Sequence, residues 1–438
     1  MIHDVIILGA GAKAAAVAAK IHAVNAVSGA KLLTALVLEK QQPASHWLGD
    51  DGFTSGTERL GTRPEKDVGY PYATAGTLSE EWGSVSEEMQ RFSWSTYLRA
   101  ENEYARWVDR GAPAVTHHRF GRYLAWVHGQ AVNGVARTIA QITRIGRDEP
   151  FWEVEFVEPD GSSHVALGRS LLITGPGSPR KLPGGADNEI FTAASTRNNL
   201  SAAVVFENSH VVVVGGGESA ASAAITVLGR LGASGRVSMI APTRPRERSE
   251  TFLDNEVYTD PEAAGWTAMA LSERAAFIRR TDRGVISPTM MEALTSDERV
   301  AFVRGKVSEV VRGRESPLVV RLDASEVMIR ADVVVNCSGF DVVGQLHALF
   351  DSAARAYVSE AAGVPFTAEG LTNAVGPDLS PVGLPQPLFV PALATLAQGP
   401  GFANLSCLGL LSNRIVERLL ADRQNMLKGR DTADAVFR

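Results

Sequence analysis

Cysteine is almost missing from this sequence. Only Cys337 and Cys407 occur in 438 residues. Both sit in apolar stretches without a Cys-x-x-Cys spacing, which excludes a disulfide framework and a redox cysteine pair. An excess of positive charge is also lacking. With a net charge of -6, no overall positive field exists to neutralise a phosphate backbone, and nucleic acid is not expected as a partner. No apolar run reaches the length that crosses a bilayer, and Met1-Ile2-His3-Asp4 passes directly into an apolar strand with no basic or cleavage segment. No membrane insertion and a cytoplasmic location are therefore expected. The nine histidines are scattered, and the adjacent pair His117-His118 does not share a helical face, so no metal site is expected. A Gly-x-Ser-x-Gly nucleophile elbow is absent as well.

Glycine, in contrast, is plentiful, with 41 residues and no low-complexity tract, so it is placed at particular points. Val5-Ile6-Ile7-Leu8, a continuous apolar run fit for a strand buried on both faces, is followed by Gly9-Ala10-Gly11-Ala12-Lys13-Ala14 and an alanine-rich helical stretch. Val211-Val212-Val213-Val214 leads likewise into Gly215-Gly216-Gly217-Glu218-Ser219-Ala220. A Gly-x-Gly-x-x-Ala string is weak alone. Between an apolar strand and a helix it gains weight: the first glycine makes the tight turn, the second admits a pyrophosphate, and the small third residue lets helix and strand pack closely. The fold class is α/β, with two Rossmann-like dinucleotide-binding domains. Later in each half an alternating strand pair precedes a short apolar strand: Trp152, Val154 and Phe156 before Leu171-Leu172-Ile173, and Leu318, Val320 and Leu322 before Val333-Val334-Val335.

Glu39 ends the strand Ala35-Leu36-Val37-Leu38, where a carboxylate can accept the ribose hydroxyls of an adenosine; the alternative is a solvated strand-end acid. Lys40 beside it joins the cofactor-binding candidates. The spacing from Gly11 exceeds the usual ~20 residues, so an extended helix or loop is expected around Asn25 to Lys31. The corresponding strand in the second half, Val237-Ser238-Met239-Ile240, carries no acid at its tip and runs on to Arg244 and Arg246. Guanidinium groups there can pair with a 2′-phosphate, which favours NADPH over NADH; the alternative is a solvated charged loop. Two dissimilar dinucleotide sites point to a flavin enzyme reduced by a nicotinamide.

Longer strings carry a resemblance. Leu60-Gly61-Thr62-Arg63-Pro64-Glu65-Lys66-Asp67-Val68-Gly69-Tyr70-Pro71-Tyr72, Thr281-Asp282-Arg283-Gly284-Val285, and Gln398-Gly399-Pro400-Gly401-Phe402 through Asn404-Leu405-Ser406-Cys407-Leu408-Gly409 resemble the flavin-dependent N-hydroxylating monooxygenases. The nearest branch is the L-lysine N6-monooxygenases of mycobactin-type siderophore pathways. The resemblance implies FAD, NADPH, dioxygen and L-lysine, and a C4a-hydroperoxyflavin whose distal oxygen passes to a primary amine. It implies that Lys66 holds the substrate carboxylate, that Asn255 hydrogen-bonds the substrate backbone end, and that Ser406 lies near flavin and amine. By the same resemblance Trp47 packs beside the flavin, and Gly401 belongs to the cofactor-binding set with Gly9, Gly11, Ala14, Gly215, Gly217, Glu218, Ser219 and Ala220. The plain alternatives are a surface lysine, a helix cap, a helix-start residue and a core tryptophan. Three departures from the ornithine branch put contacts from Asp282 and Gly61 in doubt: Thr281-Asp282-Arg283 for Thr-Asn-Tyr, Gly61 for a flavin-contacting glutamine, and Cys337-Ser338-Gly339-Phe340 for Ala-Thr-Gly-Tyr.

The expected division is an FAD domain over 1–195 and 381–438, an NADPH domain over 196–248 and 300–342, and a small helical substrate region over 249–299 and 343–380. The chain is expected to close with an amphipathic helix and a loose tail of about a dozen residues. Only a neutral amine has a lone pair for attack on oxygen, so the amine end of the site is expected to be met by neutral groups, with Lys66 at the far end. Alternatives for the activity are N-hydroxylation of ornithine or a diamine, and an uncoupled flavin NADPH oxidase. A homo-oligomer is left open.

Overall fold

The computed structural model describes residues 1–50, 54–72, 80–184, 190–192, 207–248, 251–313, 318–323 and 327–436. Its first layer is a five-stranded parallel sheet in the order Leu388–Phe389, Leu171–Ile173, Val5–Leu8, Ala35–Glu39, Val135–Ile139. Val5, Ile6 and Ile7 are fully buried, as an apolar run covered on both faces must be. The helix Ala12–Ser28 leaves this sheet with alanine on almost every side, which lets it lie close to both the sheet and the C-terminal helix. The long spacing before Glu39 is explained by the turn that follows. Asn25 donates to the carbonyls of Leu33 (2.9 Å) and Asn133 (3.0 Å) and accepts from Leu33 N–H (3.0 Å), pinning residues 29–34 under the helix.

An antiparallel extension follows, with Phe151–Val157 paired to Gln141–Asp148 and Ser163–Gly168. Trp152, Val154 and Phe156 face the core as the alternation predicts. The second half repeats the plan: the parallel order is Ile190–Phe191, Val333–Asn336, His210–Val214, Arg236–Ala241, Val300–Arg304, with an antiparallel meander of Val307–Arg312, Leu318–Leu322 and Met328–Ala331.

Three segments pack differently from the sequence-based division. Ile190–Phe191 pairs with Val333–Asn336 and so belongs to the second sheet, although it falls within 1–195. The helix Pro288–Thr295 buries Met290 and Leu294 in the core of that second sheet. The helices Val342–Leu349, Ser352–Ala362 and Ala368–Ala374, expected with the substrate region, bury Val343, Leu346, Phe350, Val358 and Leu371 in one cluster with Ile6, Trp152 and Val154 of the first half. Their apolar faces match that sheet extension. That unit is Phe252–Thr259 and Leu271–Thr281 around its own core of Val257, Trp266 and Ile278. The C-terminal helix runs without a break over Leu408–Val436, where a loose tail was expected.

Candidate active site

The first glycine loop is held from both sides. Register between Leu8 and Leu38 brings the end of Ala35–Glu39 beside Gly9, and Glu39 accepts from Ala10 N–H at 2.6 Å and from Gln41 N–H at 3.1 Å. The Ala10 carbonyl accepts from Ala44 N–H (3.1 Å) and from His128 Nε2 (3.0 Å). Arg137 Nε, which can only donate, contacts His128 Nδ1 at 3.3 Å, so the proton of the neutral imidazole lies on Nε2. Gly9 adopts φ +93°, and a Cβ there would meet Thr174 Oγ1 at 2.7 Å. A Cβ on Gly11 would meet nothing within 4 Å. Ala14 is fully buried against the sheet, while Lys40 is exposed.

The second loop is built alike. Gly215 N–H donates to Ile240 O at 2.8 Å, Gly217 opens the helix Glu218–Leu228 without a side-chain cap, and Ala220 is fully buried. Past the end of Arg236–Ala241, Arg244 and Arg246 are exposed and do not line the main cleft.

That cleft lies between the two sheets and the helical unit; its walls include Trp47, Gly61, Lys66, Glu218, Ser219, Arg248, Asn255, Asp282 and Ser406. Lys66 Nζ donates to Asn255 Oδ1 at 3.1 Å although 189 residues separate them. The lysine turn is fixed by the buried Asp67, which accepts from Gly69 N–H (3.1 Å), Tyr72 Oη (2.8 Å) and Trp94 N–H (2.7 Å); burial pushes its carboxyl up to about 6. Asn255 is not the helix cap. Thr251 caps Phe252–Thr259 in a capping box with Asp254, which leaves Asn255 Oδ1 to meet Lys66. Ser406 lies in the turn before the C-terminal helix, its N–H donating to Asn404 Oδ1 at 2.9 Å. Gly409 N–H donates to Tyr70 O at 2.7 Å and ties that helix to the Lys66 turn. Gly401 lies behind this wall, where a Cβ would meet Tyr258 O at 2.0 Å. Trp47 packs edge-on to His117 with ring centroids 5.1 Å apart.

Two features escaped the sequence. His117, which the sequence offered only as one of an adjacent histidine pair, lines the cleft. Its Nδ1 lies 2.8 Å from Thr54 Oγ1, and Thr54 donates to Glu58 at 2.6 Å. Hydrogen bonds hold the Glu58 carboxyl below its ordinary range against burial, so the single hydroxyl proton goes to Glu58, Nδ1 of His117 carries the other, and Nε2 keeps a lone pair. Burial holds His117 down at about 4. Positions 54, 58 and 117 share no spacing that a sequence pattern would reveal. Secondly, the cleft is not lined by neutral groups alone. Asp282 lines it, its pKa raised by burial against the pull of Arg248 and Arg283. The Glu218 carboxylate fills the space a side chain at Gly61 would need: its Oε2 accepts from Ser287 N–H at 2.7 Å, and Oε1 is buried without a hydrogen-bond partner, 3.1 Å from a Cβ built on Gly61.

These loops fit dinucleotides. Each helix begins at a glycine without a side-chain cap, leaving first-turn N–H groups for a pyrophosphate, and the room over Gly11 is what a phosphate would take. Among the described residues no cluster of three metal-ligating side chains occurs, and no helix is long and apolar enough to cross a membrane.

Comparison with known proteins agrees with this architecture. Residues 84–306 match the profile of the L-lysine 6-monooxygenase/L-ornithine 5-monooxygenase family. The chain is 36% identical to the L-lysine N6-monooxygenase MbtG of Mycobacterium tuberculosis over 426 residues, covering 94% of this chain and 93% of that protein. The structure of the lysine monooxygenase NbtG from Nocardia farcinica superposes with a TM-score of 0.80 at 33% identity, over 94% of this chain and 98% of that one. An ornithine N-hydroxylase from Kutzneria shares the fold, with a TM-score of 0.74 at 19% identity over 96% and 99% of the two chains.

Proposed function

The chain belongs to the L-lysine 6-monooxygenase/L-ornithine 5-monooxygenase family, and we propose from that premise that it hydroxylates N6 of L-lysine with FAD, NADPH and dioxygen, for a hydroxamate siderophore of the mycobactin kind. The observation that carries the substrate reading is the convergence of Lys66, Asn255 and Ser406 on one cleft bounded by both nucleotide units. A free amino acid brings a carboxylate, which needs a cation, and Lys66 supplies it with Asn255 as its neighbour. Gly9, Gly11, Ala14, Glu39 and Lys40 would hold FAD, with Trp47 and Gly401 nearer its ring. Gly215, Gly217, Glu218, Ser219 and Ala220 would hold NADPH, with Arg244 and Arg246 at its 2′-phosphate.

FAD reduced by NADPH supplies the oxygen-activating chemistry. The protein must supply a neutral amine. With a solution pKa near 10.4, less than about one lysine in a thousand is neutral at pH 7, so the amine end has to disfavour charge. Ser406 and Asn404 carry none, and burial raises the Asp282 pKa against the pull of Arg248 and Arg283. His117 presents an acceptor nitrogen from the opposite wall. Water has to be kept from the reacting oxygen, since it would divert the chemistry to hydrogen peroxide.

The test is NADPH oxidation by the FAD-loaded protein with L-lysine, L-ornithine and cadaverine in turn, with hydroxylamine and hydrogen peroxide both counted. Hydroxylamine from lysine in excess over the other amines supports the reading. Ornithine or the diamine as the better substrate moves the protein to another branch of the family, and peroxide equal to all the NADPH consumed makes it an oxidase.

A further inference from the structure

Lys13 stands inside the first glycine fingerprint, yet its side chain leaves that loop. Its Nζ reaches across to the C-terminal segment and donates to Ala403 O at 2.8 Å, one residue before the stretch Asn404, Leu405, Ser406 that lines the cleft. Among the described residues no carboxylate is in ion-pair contact with it. Its acidic neighbours at longer range are Asp282, whose carboxyl burial pushes up, and the Cys407 thiol, pushed up to about 12. Desolvation accordingly pulls the Lys13 ammonium down to about 8. A cation that is only partly exposed, as Lys13 is, ordinarily has an anion in contact, and among the described residues no carboxylate fills that place.

We propose that the missing anion is the two-electron-reduced isoalloxazine, and that Lys13 is its counter-ion, setting the reduction potential of the bound flavin. The inference rests on the FAD reading above. With FAD bound, a hydride from NADPH would bring two electrons and one proton to the ring, leaving NADP⁺ and one added negative charge on the reduced flavin with no further proton required. An ammonium held beside the ring would stabilise the reduced form and not the neutral oxidised one, and so would act on the redox equilibrium. The other anion of FAD, the pyrophosphate, is unchanged by reduction, and this separates the two partners experimentally. The reach of the side chain to Ala403, at the start of the segment that carries Ser406, favours the ring.

The test compares Lys13→Met and Lys13→Arg in the FAD-loaded chain by dye-equilibrated reduction, together with the FAD dissociation constants of oxidised and reduced protein. Lys13→Met is expected to weaken reduced flavin at least tenfold relative to oxidised, a fall of about 30 mV for this two-electron couple, while Lys13→Arg keeps the potential near that of the parent. An unchanged potential with equal losses of affinity in both redox states assigns Lys13 to the pyrophosphate and overturns the proposal. An unchanged potential with only a lower melting temperature overturns it as well. Should Lys13→Met not retain FAD, the parent protein decides: after reduction with ¹⁵N-labelled FAD bound, N1 is expected to stay unprotonated below the pKa of free reduced flavin, and a protonated N1 contradicts the proposal. If the parent takes up no FAD, the functional reading itself fails.

Discussion

At the residue scale the site divides into groups that carry charge and groups kept from carrying it. Lys66 is the charge carrier. Its removal in Lys66→Ala takes away one charge-assisted hydrogen bond, worth about 1.5–3 kcal/mol, and the KM for lysine is expected to rise about ten- to a hundredfold. NADPH oxidation without lysine should persist; an unchanged KM would remove Lys66 from the substrate site. Asp282, whose carboxyl burial pushes up, is assigned no proton transfer, so Asp282→Asn is expected to retain hydroxylamine formation within about threefold, where loss of a true general base costs about 10²–10⁴ in rate. His128 acts at one remove, through the Ala10 carbonyl. Asn in its place cannot span that distance, and His128→Asn should weaken FAD binding while leaving the KM for lysine alone in protein saturated with flavin. Lys66 and Ser406 were legible in the sequence because each sits in a long unbroken string. His117 was not, since what makes it special is a hydroxyl and a carboxylate some sixty residues away that only the fold assembles.

At the scale of elements, an ion pair ties the two helices of the helical unit together beside their apolar core. Arg280 donates to both oxygens of Asp254, at 2.8 and 2.7 Å, and so joins Leu271–Thr281 to the start of Phe252–Thr259, the helix that carries Asn255. This guanidinium, with the Thr251 N–H and hydroxyl, holds the Asp254 carboxyl down to about 2 from 3.8. A carboxyl lowered by folding stabilises the native state above its unfolded pKa, and the contribution is lost as pH falls from 3.8 through about 2. Asp254→Asn should abolish that part of the pH dependence and raise the KM for lysine by loosening Asn255, which denaturation at fixed pH and steady-state kinetics measure separately. Gly401 makes a second element-scale demand: a methyl group there meets Tyr258 O, so Gly401→Ala is expected to part the C-terminal segment from this helix and lower the melting temperature. Strand and helix types were legible because their periodicity is local. The assignment of Val342–Leu349 and its successors was not, because an amphipathic helix shows that it buries a face without showing which surface receives it.

For the whole molecule, the two nucleotide units meet over buried polar groups. Thr226 of the second fingerprint helix donates to Glu58 at 2.9 Å, and Glu58 is linked through Thr54 to His117 in the cleft wall. Burial lowers both His117 and His128 from 6.5 to about 4. Their neutral forms are favoured by folding, so the stability they contribute is fully present above pH 6.5 and is lost as the pH falls from 6.5 through 4. Urea midpoints of the FAD-loaded protein should drop across that window and drop less steeply in His117→Asn. The doubled plan was legible because two apolar strands, each followed by a glycine turn and a small-residue helix, repeat about two hundred residues apart. The cleft between the two halves was not legible, since no local pattern encodes how the units dock. The central claim is that this cleft brings reduced flavin and a neutral lysine amine together. It is tested most directly by reducing the FAD-loaded protein without air, mixing it with oxygen and L-lysine in a single turnover, and counting N6-hydroxylysine per flavin. The account predicts a yield near one that falls to almost nothing when lysine is withheld; hydrogen peroxide in full yield whether or not lysine is present would contradict it.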